Sequence, residues 1–183
     1  VDPSNPENFQ KAAQENTRAF FIESLGNPKL DVLDIEAISK VSKAYKVPLI
    51  VDNTVATPYL LNPIAYGANI VIQSLTKYIN GNGTALGGAI IDAGTFDWGS
   101  GKFPEFTDPS AGYHGLIYNE VIGAASFIAK VRIEGLRDYG AALSPFNAFQ
   151  IIQGLETLEV RIQKHSENAL ELAQWLQKQA DVE

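Results

Sequence analysis

Cysteine and methionine are both missing from these 183 residues, and histidine occurs only twice. Without cysteine there can be neither a disulfide framework nor a thiolate metal site. Two histidines, His114 and His165, are too few for a histidine-based one. Positive charge is scarce as well. Fourteen lysines and arginines stand against 21 acids, for a net charge of -7 and an isoelectric point near 4.8. That balance disfavours nucleic acid and anionic membranes as partners. No apolar run approaches the roughly 18 residues of a membrane span, and no secretory leader is visible. These deficits read as a cytoplasmic protein. The lack of any methionine, with Val1 at the start and an amphipathic helix just before the last residue, reads as an internal part of a longer protein.

Hydrophobic residues make up 45%, enough for a sizeable core, in a length that suits one domain or one and a half. Asn5 and Pro6 open a helix over residues 8–13, with Asn5 as its cap. Residues 18–23 read as a buried strand, broken by the turn chemistry of Leu25-Gly26-Asn27-Pro28. Asp34 caps a helix whose apolar stripe is Ile35, Ile38, Val41 and Tyr45. Strands follow at 49–52, 68–74 and 87–92. Strands alternating with helices at this spacing predict an α/β fold with a mainly parallel sheet covered on both faces. Between residues 94 and 118 the character changes: Phe96, Trp98, Phe103, Phe106, Tyr113 and Tyr118 are interleaved with glycine and proline. Such a long irregular segment is functional or packed against a partner. A helix over 121–138, interrupted near Gly135, comes next. Ser144-Pro145 then caps a long helix running toward Gln179, with a pause at Gly154.

The chemistry gathers where strands end. Val51-Asp52-Asn53-Thr54 closes one apolar run, and Gln73-Ser74-Leu75-Thr76-Lys77 closes another, with Gly81 to Gly88 beyond. In open α/β sheets, ligands bind at the carboxyl ends of strands. A lysine desolvated there can act as a nucleophile and form a Schiff base with a carbonyl, and pyridoxal phosphate offers an aldehyde for that. Its phosphate needs donors, which Ser74 and Thr76 could supply. Hydroxyls two apart on a strand share one face. Its pyridine nitrogen needs a carboxylate such as Asp52, because the ring withdraws electrons best when that nitrogen is protonated.

Each signal taken singly also fits a plainer role. The lysine could be solvated surface, Asp-Asn-Thr a turn cap, and the hydroxyls ordinary strand ends. Gly81-x-Gly83 is superficially phosphate-friendly. It lacks a following Gly-Lys-Ser/Thr and the glycine spacing of a dinucleotide site. A non-catalytic oligomerisation core is a further alternative for a truncated chain.

Taken together, Asp52-Asn53-Thr54-Val55-Ala56-Thr57-Pro58, Gln73-Ser74-Leu75-Thr76-Lys77-Tyr78-Ile79-Asn80-Gly81 and Gly87-Gly88 resemble the transsulfuration family, the pyridoxal-phosphate enzymes of cysteine and methionine metabolism. Glu23-Ser24-Leu25-Gly26-Asn27-Pro28 resembles that family's Glu-x-x-x-Asn-Pro turn. Leu143-Ser144-Pro145-Phe146 and Gly154-Leu155-Glu156-Thr157-Leu158 match its long helix. Phe96-Asp97-Trp98, Gly101-Lys102-Phe103-Pro104 and Tyr113-His114-Gly115 resemble the branch acting on O-acetylhomoserine. The resemblance implies a fold-type I, aminotransferase-like large domain over residues 1–143, lacking its N-terminal part. It implies a connecting helix over 144–183 that leads to a mostly absent C-terminal domain. It implies Lys77 as the Schiff-base lysine and Asp52 as partner of the pyridine nitrogen. Ser74 and Thr76 would meet the phosphate, Asn27 would lie near the ring hydroxyl or substrate carboxylate, and Thr54 would join the cofactor-binding set. The implied reaction is γ-replacement on O-acetyl-L-homoserine with sulfide or a thiol, in a homotetramer. A γ-lyase acting on methionine, or a cystathionine γ-synthase or lyase, is the alternative within the family. Family segments for stacking the ring, cradling its phosphate and binding the substrate carboxylate fall outside the chain, so this stretch alone is expected to be inactive.

Overall fold

The β-branched and aromatic runs become strands, and the computed structural model describes residues 1–182. After a short helix α1 (Glu7–Ala12), strand β1 (Phe20–Glu23) leads to helix α2 (Ile35–Ala44) and strand β2 (Leu49–Asp52). A single helical turn α3 (Thr57–Leu60) precedes β3 (Ile70–Ser74), and β4 (Gly88–Asp92) returns beside it. The sheet has the order β1-β2-β3-β4. β1, β2 and β3 run parallel, while β4 is antiparallel to β3. The predicted mainly parallel sheet is therefore present, with its one reversed strand at an edge.

The caps act as the sequence implies. Asp34 accepts a hydrogen bond from the Ala37 N–H at the start of α2, and Ile35 and Ile38 bury their side chains. Asn5 accepts from the Glu7 N–H one residue ahead of the expected helix. The apolar stripe of α2 packs with Phe9, Phe20, Ile22, Leu49, Val51 and Val71 into one core on one face of the sheet.

The opposite face is covered too, as expected. There short helices α4 (Pro104–Thr107), α5 (Tyr118–Ile122) and α6 (Ser126–Lys130) carry an aromatic cluster onto Ile50 and Ile70. The Trp98 ring stacks on Phe127 at 5.2 Å and lies 4.5 Å from Phe106. The aromatic segment is thus a second core. Arg18 sits 4.7 Å over the Phe103 ring and pairs with Glu105. Partial burial is the largest influence on the Glu105 carboxyl and raises it, but the Arg18 hydrogen bond, its own backbone and the charges of Arg18 and Lys130 together leave it below the ordinary range.

The long C-terminal helix is two. α7 (Pro145–Leu155) is capped by Ser144, whose hydroxyl accepts from the Asn147 N–H, and α8 (Leu158–Leu176) resumes after a break at Glu156 and Thr157. The backbone crosses another segment at Gly154, where an added Cβ would lie 1.8 Å from the Asn80 carbonyl oxygen. Ile151, Leu158 and Ile162 pack there against Ile79 and Ala85 in a third cluster. Among the described residues no helix is long and apolar enough to cross a membrane.

Gly154→Ala should therefore push α7 off the segment after β3, with a stability loss of about 3 kcal/mol, the upper end for overpacking. Denaturant unfolding measures it, and a loss below ~1 kcal/mol would contradict so close a backbone approach.

Candidate active site

The register of the parallel strands puts the chemistry together. Glu23 lies beside Asp52, and Asp52 beside Ile72, two residues before Ser74. Residues two apart on a strand share a face, so Asp52 and Ser74 lie on the face that Ile50 and Ile70 bury lower down. Beyond the aromatic cluster that face opens into a cavity of about 740 Å³, a size usual for small-molecule sites.

All of the sequence-predicted site residues line this one cavity: Asn27, Asp52, Thr54, Ser74, Thr76 and Lys77. Thr54 ties them together. Its hydroxyl donates to Asp52 Oδ1 at 2.6 Å and accepts the Ser74 N–H at 2.8 Å. The Thr54 N–H also donates to Asp52 Oδ1, at 2.9 Å. One carboxylate oxygen is thereby fixed, while Oδ2 takes no hydrogen bond among the described residues. Asn27 is positioned by Glu23, whose Oε2 accepts the Asn27 N–H at 2.8 Å.

Below this layer Asn53 is fully buried. It accepts from the Ser24 hydroxyl and donates to the Thr57 and Leu61 carbonyls. A buried amide with all these bonds fixes the loop after β2. Thr57, also fully buried, takes φ of +62°, which a β-branched residue tolerates only where the surroundings impose it.

Thr76 and Lys77 do not continue β3. They fall in a wide helical turn, Leu75–Ile79, in which Lys77 leaves helical geometry with φ -91° and ψ -123°. The shared-face expectation for Ser74 and Thr76 therefore does not apply. The Thr76 hydroxyl accepts the Gly87 N–H at 3.1 Å and lies 3.3 Å from the Gly87 carbonyl. It bridges the turn to the start of β4. Lys77 is exposed at the cavity wall.

Among the lining residues to which sequence reasoning gave no role are Tyr78, Arg161 and His165. His165 meets the Tyr78 ring edge-on at 5.4 Å. His114, the other histidine, lies beside Tyr113 and outside this cavity. No aromatic residue of the 94–118 segment lines it either.

The donor set suits pyridoxal phosphate. A primary amine for an aldehyde, a carboxylate with one free oxygen for a ring nitrogen, and hydroxyls for a phosphate share one space.

The family model for Cys/Met metabolism PLP-dependent enzymes matches residues 1–183. The O-acetyl-L-homoserine sulfhydrylase of Leptospira meyeri is 56% identical over the whole chain, which covers 43% of that protein. The homocysteine/cysteine synthase of Saccharomyces cerevisiae is 48% identical over 97% of the chain and 41% of its own length. A solved structure from Campylobacter jejuni, described as an O-acetylhomoserine (thiol)-lyase with a pyridoxyl-lysine phosphate, superposes with a TM-score of 0.93. It is 42% identical, covering all of this chain and 45% of that one. The chain thus spans less than half the length of these relatives.

Thr54→Val keeps the shape but strands the Ser74 N–H and leaves Asp52 Oδ1 with only its backbone bond. It should cost about 2 kcal/mol, against less than ~1 kcal/mol for Thr54→Ser, which retains the hydroxyl. Chemical denaturation of both variants checks this, and equal costs would show that the hydroxyl does not tie the strand ends.

Proposed function

The chain belongs to the Cys/Met metabolism PLP-dependent enzymes, and from that premise we propose that its protein replaces the acetate of O-acetyl-L-homoserine with sulfide or a thiol, giving homocysteine or methionine. The observation that carries this is the single cavity shared by Asp52 and Lys77. The names of the relatives, 48–56% identical, support the choice of substrate. The aromatic segment that first suggested that branch gives it no contact with the cavity, being the core of one sheet face.

When bound, pyridoxal phosphate supplies an aldehyde and a ring that draws electrons from the substrate's Cα. Lys77 Nζ would hold the aldehyde end and, when free, would take the proton from the substrate's Cα and move a proton at Cβ. That proton movement lets acetate leave Cγ and a sulfur nucleophile enter. Asp52, its Oδ1 fixed by Thr54, offers Oδ2 to hold the proton on the ring nitrogen, a charge-assisted bond that contributes on the order of 1.5–3 kcal/mol. Ser74 and Thr76 take the phosphate, the latter with a hydroxyl already oriented by Gly87. Asn27, held by Glu23, orients the ring hydroxyl or the substrate carboxylate.

Residues 1–143 belong on this reading to the cofactor-binding domain, and 144–183 to the helical connection that leaves it. Assembly as a homo-oligomer, a tetramer on the family pattern, is supported by Phe146, Phe149, Ile152 and Trp175, each more than half exposed on α7 and α8. The negative net charge and the absence of cysteine support a cytoplasmic location.

Pyridoxal phosphate added to the complete protein should give a visible absorption band that Lys77→Ala abolishes. A band that survives the substitution would contradict the role of Lys77. With the unsubstituted protein, O-acetylhomoserine plus sulfide should turn over faster than cystathionine or methionine. Preference for either of the latter would move the protein to a lyase or cystathionine branch.

A further inference from the structure

We propose that Arg161 is a positioning residue that sets the backbone of Lys77 from across the cavity. This rests on the proposed function, since it concerns the same lysine.

The turn that carries Lys77 closes one wide helical bond of its own, from the Asn80 N–H to the Leu75 carbonyl at 3.0 Å. The Lys77 carbonyl is held by the Gly81 N–H at 2.8 Å. Among the described residues no backbone N–H reaches the next two carbonyls, those of Tyr78 and Ile79. Carbonyls orphaned at the end of a helical turn need donors from elsewhere. Arg161 supplies them: Nη1 donates to the Tyr78 carbonyl at 2.8 Å and Nη2 to that of Ile79 at 3.5 Å. The same Nη2 donates to the Gly154 carbonyl at 2.8 Å, and Nε to the Thr157 hydroxyl at 3.0 Å. One guanidinium thus satisfies the turn after Lys77 and the frayed end of α7, where carbonyl dipoles favour a cation.

The approach depends on a missing side chain. Gly81 has φ of +74°, and a Cβ there would lie 2.6 Å from Arg161 Cζ. Three consecutive carbonyls, from Lys77 to Ile79, are therefore pinned by groups that meet at Gly81. The guanidinium has five N–H donors, and four of its hydrogen bonds go to carbonyls and a hydroxyl of the protein. What remains is too little for the bidentate grip by which arginine holds a carboxylate. Although it lines the cavity, Arg161 acts on the turn, not on substrate. A lysine cannot replace it, because an ammonium is a point charge without the planar fork.

The test uses Arg161→Lys and Arg161→Met in the complete protein. In the cofactor-free state, amide hydrogen exchange should quicken within residues 75–83 and stay unchanged over β1–β3. With pyridoxal phosphate bound, both variants should still be trapped at Lys77 by borohydride, as mapped by peptide mass spectrometry. Their kcat should fall on the order of 100-fold, as a misplacement near 1 Å causes, with KM for the homoserine ester within about threefold of the parent. Unchanged exchange with unchanged kcat would overturn the proposal. So would a general acceleration of exchange, which would make Arg161 a determinant of the whole fold. A rise in KM with kcat preserved would overturn it by making Arg161 a substrate-binding arginine. Trapping that misses Lys77 in the unsubstituted protein would instead defeat the functional reading itself.

Discussion

Two adjacent strands end in a shared hydroxyl. Thr54 donates to the Asp52 carboxylate and accepts from the Ser74 backbone, so the ends of β2 and β3 cannot splay or slip without breaking the bond to Ser74. A slip of one residue would also send Asp52 to the opposite face. Everything the site can do follows from this tie. It leaves one carboxylate oxygen free at a fixed place, and it starts the Lys77 turn from a fixed point. Asn53 supports it from beneath, fully buried with its amide bonded to three partners. A polar network in a core is stable only when fully satisfied, and this one is satisfied on the side that bears on the site.

The second wall of the cavity is built from far along the chain. Lys77 stands on a turn whose inner side is packed by Ile151, Leu158 and Ile162 from α7 and α8. Gly154 lets the backbones meet at Asn80, and Arg161 reaches back to the carbonyls beyond Lys77. The strand ends hold the acid and the helix pair holds the amine. The cavity is the space between two separately fixed walls, and its shape depends on how closely the helix pair sits on the turn.

Much of this was legible in the sequence where the signal was local. Asp34 and Ser144 announce their helices because capping acts over three residues. The strand ends at Asp52 and Ser74 were readable because an apolar run stops there in polar residues. Signals that depend on tertiary contact were not readable. Ser74 and Thr76 looked like hydroxyls on one strand face, and the helical turn Leu75–Ile79 with the Thr76–Gly87 bonds shows otherwise. The break between α7 and α8 was placed at Gly154, whose absent side chain serves backbone contact; the break itself falls at Glu156 and Thr157. Arg161 and His165 escaped because their partners lie more than 80 residues earlier. A clue was present: Thr157, Arg161 and His165 are spaced by four, a polar stripe on one helix face beside the apolar Leu158 and Ile162. The aromatic segment was visible by composition, but its role as cover for one sheet face needed the sheet.

The most direct measurement is a crystal structure of the complete protein with pyridoxal phosphate bound. The expected result is one ring bridging the two walls, joined to Lys77 Nζ, with its pyridine nitrogen within hydrogen-bond reach of Asp52 Oδ2. A ring attached elsewhere, or one whose nitrogen faces away from Asp52, would contradict the claim that these two residues grip opposite ends of one cofactor.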